Sequence, residues 1–147
     1  MARFTHRPAP DVQRDMSDLV GILEFDHIDP DRVHCRRSQG STADIYARIW
    51  ELPGMWQKAL DVPPQYVIEV LTEHYDGLDR NEQLKIVIHE LLHIPKTFSG
   101  AVRNHSGQGE KIDGHSVNRY FRRYQKAIRE REARQRQEGE GQLVLPL

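Results

Sequence analysis

Apolar residues near the start of the chain recur at three- and four-residue steps. Val12, Met16, Leu19, Val20 and Leu23 fall on one stripe, which predicts a helix over Asp11 to Phe25 with a single buried face. Asp29-Pro30 ends that region. The period then changes. Val33 to Arg37 reads as a short strand and the following SQGST as a turn. Ala43 to Trp50 alternates, with Ile45, Ala47 and Ile49 on one side and Tyr46, Arg48 and Trp50 on the other, as a strand does. Gly54 and Pro63-Pro64 bracket a loop or short helix, and Tyr66 to Leu71 (YVIEVL) is a further strand.

The helical period returns near Asp79. Asp79 and Glu82 have the spacing of a capping pair, Leu84, Val87, Ile88, Leu91 and Leu92 keep one face apolar, and Pro95 stops the helix. A last helix is predicted from Ser116 to about Arg136, with Val117, Tyr120, Phe121, Tyr124 and Ile128 as its packing stripe. Past Ile128 the stripe gives way to charge, so this end should project into solvent, and QEGEG (residues 137 to 141) reads as a flexible linker. The expected fold is α+β: a short, mostly antiparallel sheet packed on the Asp79 helix, with N- and C-terminal helices added. Residues 1 to 128 form one domain, and residues 129 to 147 a basic helical extension and tail.

Charge sharpens that division. Residues 119 to 136 hold eight Arg or Lys against two Glu, and residues 137 to 147 carry −2, which leaves −5 on residues 1 to 118 of a total of −1. The chain of 147 residues has no apolar run long enough for a membrane span and no signal-like N-terminus. Its one cysteine, Cys35, rules out an internal disulfide, and a structural role is expected for it. These features predict a cytoplasmic protein.

The Asp79 helix also carries chemistry. His89 and His93 are one turn apart and so share a face, as two nitrogen ligands of a tetrahedral zinc must. Glu90 projects beside that pair. There it could take a proton from a metal-bound water and pass it to a leaving amine, without being a ligand. The bland alternative is a buried helix that happens to hold two histidines. A catalytic zinc needs a third protein ligand, and His105, Glu110, Asp113 and His115 all lie downstream. An extended substrate would add to a sheet edge, formed either by Ala43 to Trp50 or by Tyr66 to Leu71. Arg48 and Arg103 are cations that a carboxylate or an oxyanion could use. His6, His27, His34 and His74 lack ligand spacing.

HELLHIPKTFSGAVRNH, residues 89 to 105, resembles the phage-type metallopeptidase family, a set of small zincins with a HELLHIP-x-x-FSG-x-x-R-x-H block. The match holds at His89, Glu90, Leu91, Leu92, His93, Ile94, Pro95, Phe98, Ser99, Gly100, Arg103 and His105. YARIW and YVIEVL upstream are similar too, so the resemblance covers roughly residues 10 to 125. It implies a zincin-like fold of the minigluzincin type, a zinc-dependent peptidase with Glu90 as general base acting on a protein or peptide, and His105 as third ligand. Gly114, His115, Ser116 and Val117 match a GH-[DS]-V element of more distant phage proteins, which would make His115 the third ligand instead. Were both histidines ligands, the site would be closed, and the chain would be a zinc-stabilised adaptor associated with DNA.

Two further partners are suggested by the C-terminal part. The basic segment 119 to 136 reads first as a packing helix with a solvated charged face; the alternative is a weak DNA contact, which its charge suggests and its aromatics, on the packing stripe, do not decide. The ending QLVLPL resembles the peptide by which bacterial replication and repair proteins dock on the DNA polymerase sliding clamp. That resemblance implies polar contacts from Gln142 and apolar ones from Leu143, Leu145 and Leu147.

Overall fold

The computed structural model describes residues 3–107 and 109–143, with side chains described as far as residue 139 at the C-terminal end. Strand β1 (Thr5–Pro8) leads into helix α1 (Pro10–Ile22), then β2 (Val33–Gln39), β3 (Ala47–Glu51), helix α2 (Gly54–Leu60), β4 (Tyr66–Leu71), the single-turn α3 (Thr72–Tyr75), α4 (Arg80–Leu92) and the long α5 (Gly114–Leu143). The sheet order is β1-β2-β4-β3. β1 and β3 pair antiparallel with their neighbours, while β2 and β4 run parallel. The α+β class and mostly antiparallel sheet are as expected, with the central pair making the sheet mixed.

One face of the sheet builds the core. Val33, Cys35, Ile68 and Val70 meet Val12, Met16 and Leu19 of α1 and Val87, Ile88 and Leu91 of α4, all in one buried cluster. Gln13 stitches α1 to β2: its Nε2 donates to the Val33 carbonyl and its Oε1 accepts from the Cys35 amide, both at 2.8 Å. Val117 and Phe121 bring α5 into the same core, and the Tyr124 hydroxyl donates to Asp18 of α1 at 2.9 Å. On the other face the buried Glu69 carboxylate accepts from Arg48 Nε (2.6 Å), from Trp50 Nε1 (2.7 Å) and from the Ser38 hydroxyl.

Five details depart from the sequence reading. β2 runs on to Gln39, through the first two residues of the SQGST expected as a turn, because Ser38 and Gln39 pair with β1. β1 was not expected, because THRP has no apolar alternation and all four residues are exposed. Its terminal Pro8 is tolerated because the strand sits at an edge. The alternation over Ala43 to Trp50 yields a strand only from Ala47. β4 ends at Leu71, whose amide makes the last bond to the Tyr46 carbonyl, so Ala43 to Ile45 find no partner backbone. α1 stops at Ile22, because Glu24 adopts a left-handed φ of 56° and returns Phe25 to the core. Finally, α5 runs through QEGEG to Leu143, so no flexible linker separates residues 137 to 141 from the helix. Gln and Glu favour the helix, which carries two glycines at about 1 kcal/mol each. Gln142 and Leu143 therefore lie in the last turn of α5, while Leu145 and Leu147 lie outside the described residues. Among the described residues no helix is long and apolar enough to cross a membrane.

Candidate metal centre

α4 is built to hold two imidazoles rigidly. The Asp79 side chain caps its start by accepting from the Glu82 amide at 2.9 Å. Leu84, Val87, Ile88 and Leu91 anchor one side in the core. His89 lies in the last turn, and His93 closes the helix at its C-cap.

The segment after Pro95 then turns back across the helix end, and Arg103 fastens it there. The Arg103 amide donates to the His93 carbonyl at 2.7 Å, and its guanidinium donates to the carbonyls of Leu92, at 3.2 Å, and of Glu110. Helix-terminal carbonyls that would lack partners are satisfied in this way. Further along, the Gly100 amide donates to the Tyr66 hydroxyl at 2.9 Å, that hydroxyl donates to the Ala101 carbonyl at 2.8 Å, and the amide of buried Ile112 donates to the His105 carbonyl at 3.0 Å. This fastening sets His105 over α4.

His105 Nε2 lies 3.1 Å from His89 Nε2, which lies 3.4 Å from His93 Nε2. The ligand atoms of all three sit within 4.8 Å of one another. Two nitrogens bound tetrahedrally at ~2.1 Å to one metal ion stand about 3.4 Å apart, so the cluster has the right size. The tautomer is also suitable. His93 Nδ1 is 2.5 Å from the Arg103 carbonyl, which can only accept, so Nδ1 carries the hydrogen and Nε2 of the neutral ring is a free lone pair. Burial, with the neighbouring imidazoles, holds the His89 ring well below its ordinary range, at about 4, and burial lowers His93 as well. Both are neutral near pH 7, as metal ligands must be.

Glu90 is buried beside this cluster, with neither an ion-pair nor a hydrogen-bond partner among the described residues. Burial alone pushes its carboxyl up to about 7. It opens onto two adjoining hollows, of about 450 and 410 Å³, which share Ile45, Ala47 and His89 in their walls. β3, the outer strand of the sheet, borders the smaller hollow, and its first residue, Ala47, with the segment before it borders the larger; β4, the other candidate edge, is interior. Leu71 donates to Tyr46 and Leu52 to Gln65, so even-numbered residues of β3 face β4. By alternation, the backbone groups of Ala47, Ile49 and Glu51 point to the open side.

Other candidates lie elsewhere. His115 is in the first turn of α5, exposed and outside the cluster, as are Glu110 and Asp113. Arg48 is engaged by Glu69. The Cys35 thiol is buried and pushed up to about 12, which makes it inert. His74, passed over for lack of ligand spacing, lines the larger hollow with Asp44 and Tyr46. The fastening role of Arg103 was also missed, although its place two residues before His105 was the available signal.

A model of the family described as "Putative phage metallopeptidase" matches residues 4–137. The chain belongs to this family. No curated protein and no solved structure gives a significant match. Family membership supports a metal-dependent hydrolase, and the three-histidine cluster is where its metal fits.

Proposed function

We propose that this protein is a zinc-dependent peptidase of the cytoplasm, with His89, His93 and His105 holding the ion. The observation that carries this reading is a partnerless, buried carboxylate, Glu90, beside three convergent imidazole nitrogens at an open sheet edge. Bound there, zinc supplies Lewis acidity, polarising a carbonyl and acidifying water. Glu90, with its raised carboxyl range, accepts a proton from the attacking water and hands it to the departing amine. The free backbone groups of Ala47 and Ile49 hold an extended peptide by strand addition and align it across the two hollows. Three nitrogen ligands leave a fourth position for substrate chemistry, which a closed structural site would lack. The supporting fact is that, among the described residues, His115 and the nearby acids are outside the cluster.

The test is cleavage of a library of unstructured peptides by zinc-loaded wild type and by Glu90→Gln, read by mass spectrometry of new termini. Cuts made by wild type and absent from the variant support the reading. Zinc retention with no cut that depends on Glu90 would favour the adaptor reading instead. For the C-terminus we propose sliding-clamp docking through Gln142, Leu143, Leu145 and Leu147. Docking as an extended peptide requires the last turn of α5 to unwind. Titrating purified clamp with the full chain and with a chain ending at residue 141 tests it, and equal affinities would refute it.

A further inference from the structure

α5 carries a feature that the metal centre does not use. Its packing stripe of Val117, Phe121 and Tyr124 ends at Ile128, and from Arg129 to Glu138 the side chains are exposed apart from Ala133. The thirty-residue helix therefore extends past the core it packs on. Three of its cations are engaged: Arg119 with Glu110, Arg131 with Asp18 at 3.6 Å, and Arg123 with the Leu23 carbonyl at 3.3 Å. Arg122, Lys126, Arg129, Arg134 and Arg136 have no ion-pair or hydrogen-bond partner among the described residues.

Four of these five form a line. At 100° per residue, Arg122, Lys126, Arg129 and Arg136 fall within an arc of about 80°, on the side of α5 away from its packing stripe. From Arg122 to Arg136 the line is about 21 Å long. Glu130 and Glu132 flank it without interrupting it.

We propose that this line is a docking surface for duplex nucleic acid, held through its phosphates without regard to sequence. A strand of a duplex presents a phosphate every ~3.4 Å of axis, so about six phosphates lie along the length of the line. The chemistry selects this occupant over others. From Arg129 to Glu138 the helix presents no apolar face to insert into a lipid interface, so a membrane helix over this stretch is disfavoured. The aromatics Phe121 and Tyr124 are on the packing side, so no stacking platform for single-stranded bases is offered. Residues 1 to 118 carry −5, which repels phosphate from the body and directs a duplex to α5. The surface is independent of the metal centre, so either assignment can fail alone.

The experiment is fluorescence anisotropy of a labelled mixed-sequence duplex of about 30 base pairs, titrated with full-length chain from about 20 to 200 mM salt. If all four cations engage phosphate, log affinity falls against log salt with a slope near −3.6, at about −0.9 per contact. The quadruple variant Arg122→Gln, Lys126→Gln, Arg129→Gln, Arg136→Gln should weaken binding at the lowest salt at least about tenfold and flatten the slope. Arg129→Gln with Arg136→Gln alone should remove about half of the slope. Unchanged circular dichroism confirms that α5 persists in the variants. No binding at the lowest salt, or binding that the quadruple variant retains, overturns the proposal. So does binding to vesicles rich in phosphatidylserine without binding to duplex.

Discussion

Zinc should raise the melting temperature of this protein, and the rise should depend on His105. Two of the three imidazoles lie on α4, which the core holds with or without metal. His105 is exposed and reaches them on a loop, so its removal should leave the metal-free fold nearly as stable. A ligand at a free concentration of 100 times its Kd stabilises the folded state by about 2.7 kcal/mol. For a chain of 147 residues this is a rise of roughly 5–10 °C, at about 2–4 °C per kcal/mol. Loss of one of three ligands should weaken binding at least ~100-fold, leaving about 0.4 kcal/mol at the same free zinc, or about 1 °C. The assay is scanning calorimetry of chelator-dialysed protein with and without buffered zinc. His105→Ala should lose nearly the whole shift, whereas Glu90→Gln and His115→Ala should keep it. A wild type whose melting ignores zinc refutes the metal centre. A full shift in His105→Ala, or a lost one in His115→Ala, refutes the ligand assignment.

Three further outcomes follow from the geometry. Gly100 has φ +93°, and an added Cβ would lie 2.2 Å from the Gln57 amide nitrogen, which can swing away, and 3.1 Å from the Leu52 carbonyl, which cannot. Gly100→Ala should therefore cost about 1–2 kcal/mol in chemical denaturation and weaken zinc binding through the His105 loop, and wild-type values for both would contradict the fastening described here. Glu69→Ala leaves Arg48 and Trp50 Nε1 without their acceptor. It should destabilise by about 2 kcal/mol, the lower part of the range because Arg48 is partly exposed and regains water. The Arg37 guanidinium holds the Asp11 carboxyl down at about 2, below its ordinary 3.8, so this pair stabilises the fold above pH ~4 and its contribution disappears as pH falls towards 2. Asp11 is half exposed, so screening limits the effect to about 1 kcal/mol. The difference in unfolding free energy between wild type and Asp11→Asn should shrink by that amount from pH 5 to pH 2, and a constant difference would contradict the pairing.

The parts of this fold that show in the sequence are those where side-chain period and backbone pairing agree. α4 has a cap, an apolar face and a proline stop, and β4 is an apolar run between two breaks, so both emerge at nearly their true limits. β1 and the outer half of the Ala43 to Trp50 segment fail for opposite reasons. β1 pairs by backbone alone, with no apolar pattern to announce it, whereas Ala43 to Ile45 have the pattern but no strand to pair with. The continuation of α5 through QEGEG was hidden because two glycines suggest a break that the flanking Gln and Glu outweigh. In the candidate metal centre the His89 and His93 pair follows from helical geometry. His105 had to come from a family block, since no period links a loop residue to a helix. The part played by Arg103 is made by backbone carbonyls at a helix end, which side-chain identities do not announce.

The position of β3 has a consequence for how the protein is made. β3 is flanked only by β4, which follows it in the chain after α2. During synthesis residues 47 to 51 emerge before any strand that can pair with them, together with Trp50, Met55, Trp56 and Leu60, whose side chains remain exposed in the finished fold. Such a segment pairs readily with neighbouring chains, and Arg48 and Glu51 are its charged safeguards. The outer strand proposed to hold a peptide substrate is thus also a segment open to aggregation while the chain folds.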